Sequence, residues 1–282
     1  MIYSHIMGGL GNQLFQIFAT MAYAIRYNQA FLFLRGEEHG SRRTHWKDFL
    51  SDLAPFTVQH IPKITYNDQS YGFDYHEIPF LENDVTLFGY FQSDRYFRDH
   101  FELICQNIGL RERQEEIRQK YLADYFQFHS SDNTKEEVPC ISMHFRLGDY
   151  KNNEHNHPIM TLEYYREALS KICMDRSIEH GHVLYFCEKD DNDLVKQKVD
   201  QLSAQFPGLV FHKVADDMEN WEQMVLMSLC HHHVIANSSF SWWGAYFNRR
   251  PDKMVCYPSR WFGPKLAHNS TKDLCPSDWT KI

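Results

Sequence analysis

From residue 140 onward the chain alternates between short apolar runs and stretches of helical periodicity, and this alternation limits the possible folds more than any other feature. Residues 140–145, 182–187, 210–214, 234–236 and 254–257 have strand composition. Helical patterns follow them at 161–174, after Asp193 to about 206, at 219–229 and at 242–248. Parallel strands need crossover connections, usually helices, and strands buried on both faces read as continuous apolar runs. The pattern therefore predicts a parallel sheet covered by helices on both faces. The chain also starts this way. A strand-like run at 1–7 precedes Gly8-Gly9-Leu10-Gly11-Asn12-Gln13, and Leu14, Ile17, Phe18, Met21, Ala22 and Ile25 then share one helical face.

Further strands are expected at 31–34 and 85–91, and helices at 99–104 and 111–128, whereas residues 36–82 show no readable periodicity. Residues 130–137 are polar, end at Pro139 and suit a linker. The expected fold class is α/β: two Rossmann-like lobes with parallel sheets, residues 1–135 and 136–282, and a cleft between them.

Composition removes several function classes. Thirty-seven acidic against 29 basic residues give a net charge of −8, which disfavours a nucleic-acid binder. The seven cysteines are scattered, with no CxxC pair, and read as free thiols in a reducing compartment. No apolar stretch is long enough for a membrane span, and residues 1–11 do not resemble a signal peptide, so a cytoplasmic location is expected. Aromatic residues make up 15% of the chain, with pairs such as Tyr164-Tyr165 and Trp242-Trp243 suited either to a core or to stacking on sugars.

Three loops carry the chemistry. The run Ile141-Ser-Met-His-Phe ends abruptly at Arg146-Leu147-Gly148-Asp149, a buried strand delivering charge to a sheet's carboxyl edge. Arg146 offers a planar fork of donors suited to phosphate, and Gly148 allows a close backbone approach. The Gly8–Gln13 turn opens a helix but is neither the dinucleotide fingerprint nor a P-loop; its distinctive feature is the pair of amides Asn12 and Gln13. The third loop, Ser238-Ser239-Phe240-Ser241, sets hydroxyls and backbone amides at a helix start, which serves either as an anion cradle or as an ordinary N-cap. Together the loops describe a diphosphate site without a P-loop.

Two other clusters invite a metal reading. Asp191-Asn192-Asp193 has the DxD spacing of metal-dependent glycosyltransferases, but also suits the negative first turn of a helix, the reading favoured here. The rings of His231, His232 and His233, beside Cys230, diverge on any regular backbone and make a poor single-ion site. The His155-Asn156-His157 string has neither the context nor the spacing of a nuclease.

The stretches Gly8-Gly-Leu-Gly-Asn-Gln-Leu-Phe-Gln16, His144-Phe-Arg-Leu-Gly-Asp-Tyr150 and Asn237-Ser-Ser-Phe-Ser-Trp-Trp-Gly-Ala245 resemble the three signature stretches of the α-1,2-fucosyltransferase family. They occur in the same order, and the tail Cys275-Pro-Ser-Asp-Trp-Thr-Lys-Ile282 is also similar. The resemblance implies the two-lobed GT-B fold, with residues 1–135 on the acceptor side and 136–282 on the GDP-fucose side. It implies inverting transfer to the 2-hydroxyl of a terminal galactose in an oligosaccharide, with no metal and no cofactor beyond the donor. By resemblance, Arg146 binds the diphosphate and stabilises the departing charge, and His144 and Asp149 orient it or hold the nucleotide. Asn12 lies near the transferred sugar, flanked by Gly11 and Gln13. Asn237, Ser238, Ser239 and Phe240 border the pyrophosphate and fucose, while Glu188 and Asp190 are candidates for base or ribose contact. Asp149 is also a candidate general base. Acceptor contacts are expected in 36–82 and 152–159. The family often carries a second arginine where this chain has Leu147.

Three alternatives stand beside this reading. One is a metal-dependent glycosyltransferase using Asp191 and Asp193 with another nucleotide sugar. Another is a non-catalytic sugar-nucleotide binder, and the third is a fucosyltransferase acting on protein or on another hydroxyl. Oligomeric state and the acceptor glycan are not encoded in any of these motifs.

Overall fold

The computed structural model describes residues 1–36, 38–39, 42–68, 73–122 and 138–282; the expected linker at 130–137 lies outside them. The chain divides into two compact units, Met1–Glu112 with Asn269–Ser277, and Arg113–His268 with Asp278–Ile282.

The first unit is built on β1 (Ile2–Ser4), α1 (Leu10–Arg26), β2 (Phe31–Leu34), an antiparallel pair of two-residue strands β3 (Glu38–His39) and β4 (Arg42–Arg43), β5 (Thr57–Val58), β6 (Thr65–Asn67) and β7 (Val85–Phe88). Its five-stranded sheet runs β5-β2-β1-β7-β6 and is parallel throughout. The first half of α1 is buried nearly all round, as befits a helix covering a sheet, with Phe15 and Phe18 meeting Phe97 edge-on or tilted. Helix α2 (Phe101–Asn107) follows; α3 (Leu110–Ile117), within which the boundary between the units falls, passes into a π turn over Arg118–Leu122. This differs from the single helix expected over 111–128, of which residues 123–128 lie outside the described ones.

The second unit contains β8 (Cys140–His144), α4 (Leu162–Asp175), β9 (Gly181–Phe186), α5 (Asn192–Gln205), β10 (Leu209–Lys213), α6 (Asn220–Ser228), β11 (His232–Val234), α7 (Ser239–Phe247), β12 (Val255–Tyr257) and β13 (Thr280–Lys281). All six strands are parallel in the order β10-β9-β8-β11-β12-β13. Counted from β8 as the first strand, this is the doubly wound order 3-2-1-4-5-6. In such sheets ligands sit outside the carboxyl ends of the strands where the order reverses, here between β8 and β11.

Two adjacent tyrosines of α4 pin those two ends. The Tyr165 hydroxyl donates to the His144 carbonyl at 3.0 Å, and that of Tyr164 donates to Ile235 O at 2.5 Å and Cys256 O at 3.1 Å. Trp242 and Trp243 are fully buried, Trp242 stacking on Tyr246 at 4.6 Å, so both aromatic pairs are core rather than sugar platforms. The histidine run is likewise structural. His231 and His232 accept the backbone N–H groups of Cys140 and Met254, while His233 lies between Ser142 and Asn248. The Asn248 amide donates to His233 Nε2, which leaves Nδ1–H to donate to the Ser142 hydroxyl. Among the described residues, no three His, Cys, Asp or Glu side chains could hold a metal ion together.

Candidate active site

In the second unit, β8 is buried along its whole length, and strand alternation continues just past it: Phe145 inward, Arg146 outward, Leu147 inward. Arg146 is therefore presented at the switch point. One arm of its fork pairs with Glu188 and the other with Asp149. Its guanidinium carbon lies 5.2 Å from the centroid of the Tyr150 ring. Both carboxylates are about half exposed, whereas the Arg146 side chain is only 18% exposed. The cation is held in place by partners that a diphosphate could replace.

Gly148 has φ +32, and a Cβ there would come within 2.6 Å of the Glu188 carboxylate, so a glycine is needed both for the turn and for the contact. The Gly148 N–H donates to Asp191 Oδ2 at 2.7 Å, and Lys151 pairs with the other oxygen of the same carboxylate. Asp191 is 1% exposed, and although it is the N-cap of α5 its side chain makes no capping bond. The acidic first turn favoured from the sequence holds for one of the two residues only. Asp193 is an exposed first-turn acid, but Asp191 faces inward and is already occupied, so the two do not form a DxD pair open to a shared ion. Asp190 is exposed on the same turn.

His144 closes the end of β8. Burial, reinforced by the Arg146 charge, pushes its pKa down to about 3, so its ring is neutral at any ordinary pH. Nδ1 has no hydrogen-bond partner among the described residues, and the ring lies 5.5 Å from that of Phe240. Across the switch point, Asn237 is buried and its amide donates to Pro158 O and Trp261 O, both at 3.0 Å. Ser238 caps α7 by accepting the Phe240 N–H at 3.3 Å, while Ser239 and Phe240 are partly exposed at the helix start. Thus His144, Arg146, Asp149, Glu188, Asn237, Ser238, Ser239 and Phe240 gather at the carboxyl edge of one sheet.

Tyr150 joins the two loops, and its importance is not apparent from the sequence motif alone. Its ring is near the Arg146 guanidinium and stacks with His157 at 4.9 Å and 21°, and its hydroxyl donates to Asn237 O at 3.0 Å. The pKa of His157 is lowered chiefly by burial.

In the first unit, the Gly8–Gln13 turn lies at the carboxyl end of β1, the corresponding reversal point of its sheet. Gly8 has φ +77, and the Asn12 amide packs against it so closely that a Cβ would lie 2.8 Å from Nδ2. Gln92 donates to Asn12 Oδ1 at 2.7 Å from beyond β7, just after Phe91, whose φ of +52 is strained for a bulky residue. Gly11 is buried in the first turn of α1. Gln13 is fully buried, with its NH₂ donating to Gly8 O and Arg43 O, which places it underneath the turn as a brace. Gln16 completes the brace through Met7 N–H, Met7 O and Asn12 O.

Comparison with known proteins bears on the family and the fold. The model of glycosyl transferase family 11 matches residues 2–279. An Escherichia coli α-1,2-colitosyltransferase is 25% identical, covering 100% of this chain and 98% of that protein. The E. coli O-antigen biosynthesis glycosyltransferase WbnK is 28% identical over 72% of this chain and 62% of its own. Among solved structures, the E. coli ADP-heptose lipopolysaccharide heptosyltransferase II superimposes with a TM-score of 0.51 at 13% identity, covering 100% of this chain and 89% of that one. The Bradyrhizobium fucosyltransferase NodZ gives a TM-score of 0.48 at 13% identity, over 86% of this chain and 92% of that one. The parallel sheets and their helices are those of the GT-B fold. With signature loops, sheet order and a family match over nearly its whole length, the chain belongs to glycosyl transferase family 11, the fucosyltransferase-like glycosyltransferases that its three motifs resemble.

Proposed function

We propose that the protein transfers L-fucose from GDP-fucose to the 2-hydroxyl of a terminal galactose in a glycan, with inversion and without a metal. The observation that carries this reading is Arg146 at the β8–β11 switch point, held by two exchangeable carboxylates beside the N-terminus of α7. A diphosphate takes the place of those carboxylates on the guanidinium fork and meets the start of α7 at Ser239.

In the transfer, the galactose 2-hydroxyl oxygen bonds to fucose C1 as the bond from C1 to the β-phosphate oxygen breaks. The electron pair leaves with GDP, where Arg146 neutralises it, and the hydroxyl proton passes to a base for which Asp149 is the proposed residue. Neutral His144 is proposed to border the nucleotide, and Glu188 or Asp190 the ribose or base. Asn237, Ser238, Ser239 and Phe240 are proposed to line the diphosphate and the sugar. Asn12, with Gly11 and Gln13 shaping its turn, is proposed to contact the transferred sugar. The inward-facing, Lys151-paired Asp191 supports a mechanism that does not rest on a DxD pair.

A second donor is favoured by one specific observation: the relative that this chain matches end to end is named for colitose transfer. The discriminating experiment is GDP release from GDP-fucose and GDP-colitose, with lactose as acceptor and EDTA present throughout. Lactose-dependent release from GDP-fucose supports the proposal. Release from GDP-colitose alone reassigns the donor, and activity only with added Mn²⁺ overturns the metal-free mechanism. Binding of GDP without turnover on a panel of galactose-terminated acceptors favours a sugar-nucleotide binder or another acceptor class.

A further inference from the structure

Two clasps join the turn after β8 to the turn after β9, and they differ in kind. The outer clasp, Arg146 with Glu188, is half exposed and involves the very group proposed to bind the diphosphate. The inner one is buried: Asp191 accepts the Gly148 N–H at 2.7 Å and pairs with Lys151, while its own N–H donates to Glu188 O at 2.9 Å. When a diphosphate displaces Glu188, the inner clasp still fixes the left-handed Gly148 that aims Arg146.

We infer that Asp191 is a positioning residue for transfer, holding the 146–151 turn in register through Gly148 and Lys151 while the outer clasp exchanges. The inference rests on the reading of Arg146 as the partner of the diphosphate. A buried carboxylate with one N–H and one ammonium is well matched; a carboxamide is not, because its NH₂ must face either Lys151 or the Gly148 N–H, donor against donor. Asp191→Asn therefore loosens the turn although it is nearly isosteric. Adding Lys151→Gln gives the new carboxamide a side-chain carbonyl to donate to and restores a matched pair.

The test measures the affinity of inorganic pyrophosphate by calorimetry, together with kcat and KM for GDP-fucose, on folded protein with its thermal midpoint recorded. Expected for Asp191→Asn are a loss in kcat of ~30-fold and a pyrophosphate affinity ~10-fold weaker, the scale of an ångström-level misplacement of a charged group. The KM for lactose should stay near the wild-type value, and the Asp191→Asn, Lys151→Gln double variant should recover most of both losses. Should Asp191→Asn fail to fold, Lys151→Met, altered at the exposed rim, is expected to weaken pyrophosphate binding in the same direction. Affinity and kcat within about twofold of wild type in a folded Asp191→Asn protein overturn the inference, as does a double variant no better than the single. Wild-type protein that binds pyrophosphate but turns over no GDP-sugar overturns the functional reading, and the Asp191 assignment is then decided by the affinities. Wild-type protein that does not bind pyrophosphate overturns both.

Discussion

The Arg146 guanidinium and the Tyr150 ring lie against each other at 5.2 Å, and the Tyr150 hydroxyl ties that contact to Asn237 on the other side of the sheet reversal. One side chain thus supports the cation and connects the two loops of the candidate site. Tyr150→Phe should keep the ring and lose only the hydrogen bond, lowering kcat/KM for GDP-fucose by about fivefold, the scale of one neutral bond near 1 kcal/mol. Tyr150→Leu removes the cation–π contact as well and should cost roughly another factor of three to five. Equal effects of the two variants would show that the ring does not support Arg146.

Arg146→Ala should lower turnover by at least ~100-fold, the scale for losing a principal donor to a departing anion. Arg146→Lys should recover little of it, because a point charge on a flexible stem cannot make the two-pronged contact. Steady-state rates on protein with unchanged circular dichroism check this; near-normal rates would remove Arg146 from the mechanism.

The Asn12–Gln92 bond couples the glycine-rich turn of the first unit to the segment after β7. Asn12→Ala should reduce turnover strongly, and Gln92→Leu by about fivefold through loss of one positioning hydrogen bond. The double variant should be no worse than Asn12→Ala alone, since Gln92 would act through Asn12. Additive losses would point to separate roles.

Acid should destabilise the fold through its buried histidines. Burial lowers the pKa of His144 to about 3 and of His232 to about 4, and holds His233 well below its ordinary 6.5. The folded state keeps these rings neutral while the unfolded chain protonates them near 6.5. Their contribution is therefore complete above that pH and is lost as pH falls from 6.5 towards 4 and 3. His144 and His232 should each cost roughly 2 kcal/mol by pH 5, at about 1.4 kcal/mol per pKa unit. Urea midpoints at pH 7.5 and 5 measure this, and equal midpoints would contradict the burial argument.

Much of the second unit was legible because β8, β9 and β10, of five or six residues each, are long enough to show an apolar run and its helices bury one face, as Tyr165, Ala168, Leu169 and Ile172 do in α4. The first unit was harder to read. Its strands β3, β4 and β5 have two residues each and β6 has three, too few for a period of two to register. Arg146, Asn12 and Ser238 could be read from their motifs because side-chain chemistry and loop position coincide there. Asp191, Gln92 and Tyr150 could not be ranked in the same way. Their contacts are with partners 80, 43 and 87 residues distant for Gln92, Asp191 and Tyr150, a separation that no local pattern spans.

Leu147 occupies the position where the family resemblance leads one to expect a second arginine, and it is 4% exposed within the hydrophobic core of its unit. Restoring an arginine there is not a one-step change. Its guanidinium would be committed to hydrocarbon beside Phe145 and Met160 unless the turn after β8 were rebuilt around it. On the proposed reading, reliance on a single cation is therefore locked in by packing, and any lineage or engineering effort seeking a second would have to remodel the backbone before changing the side chain.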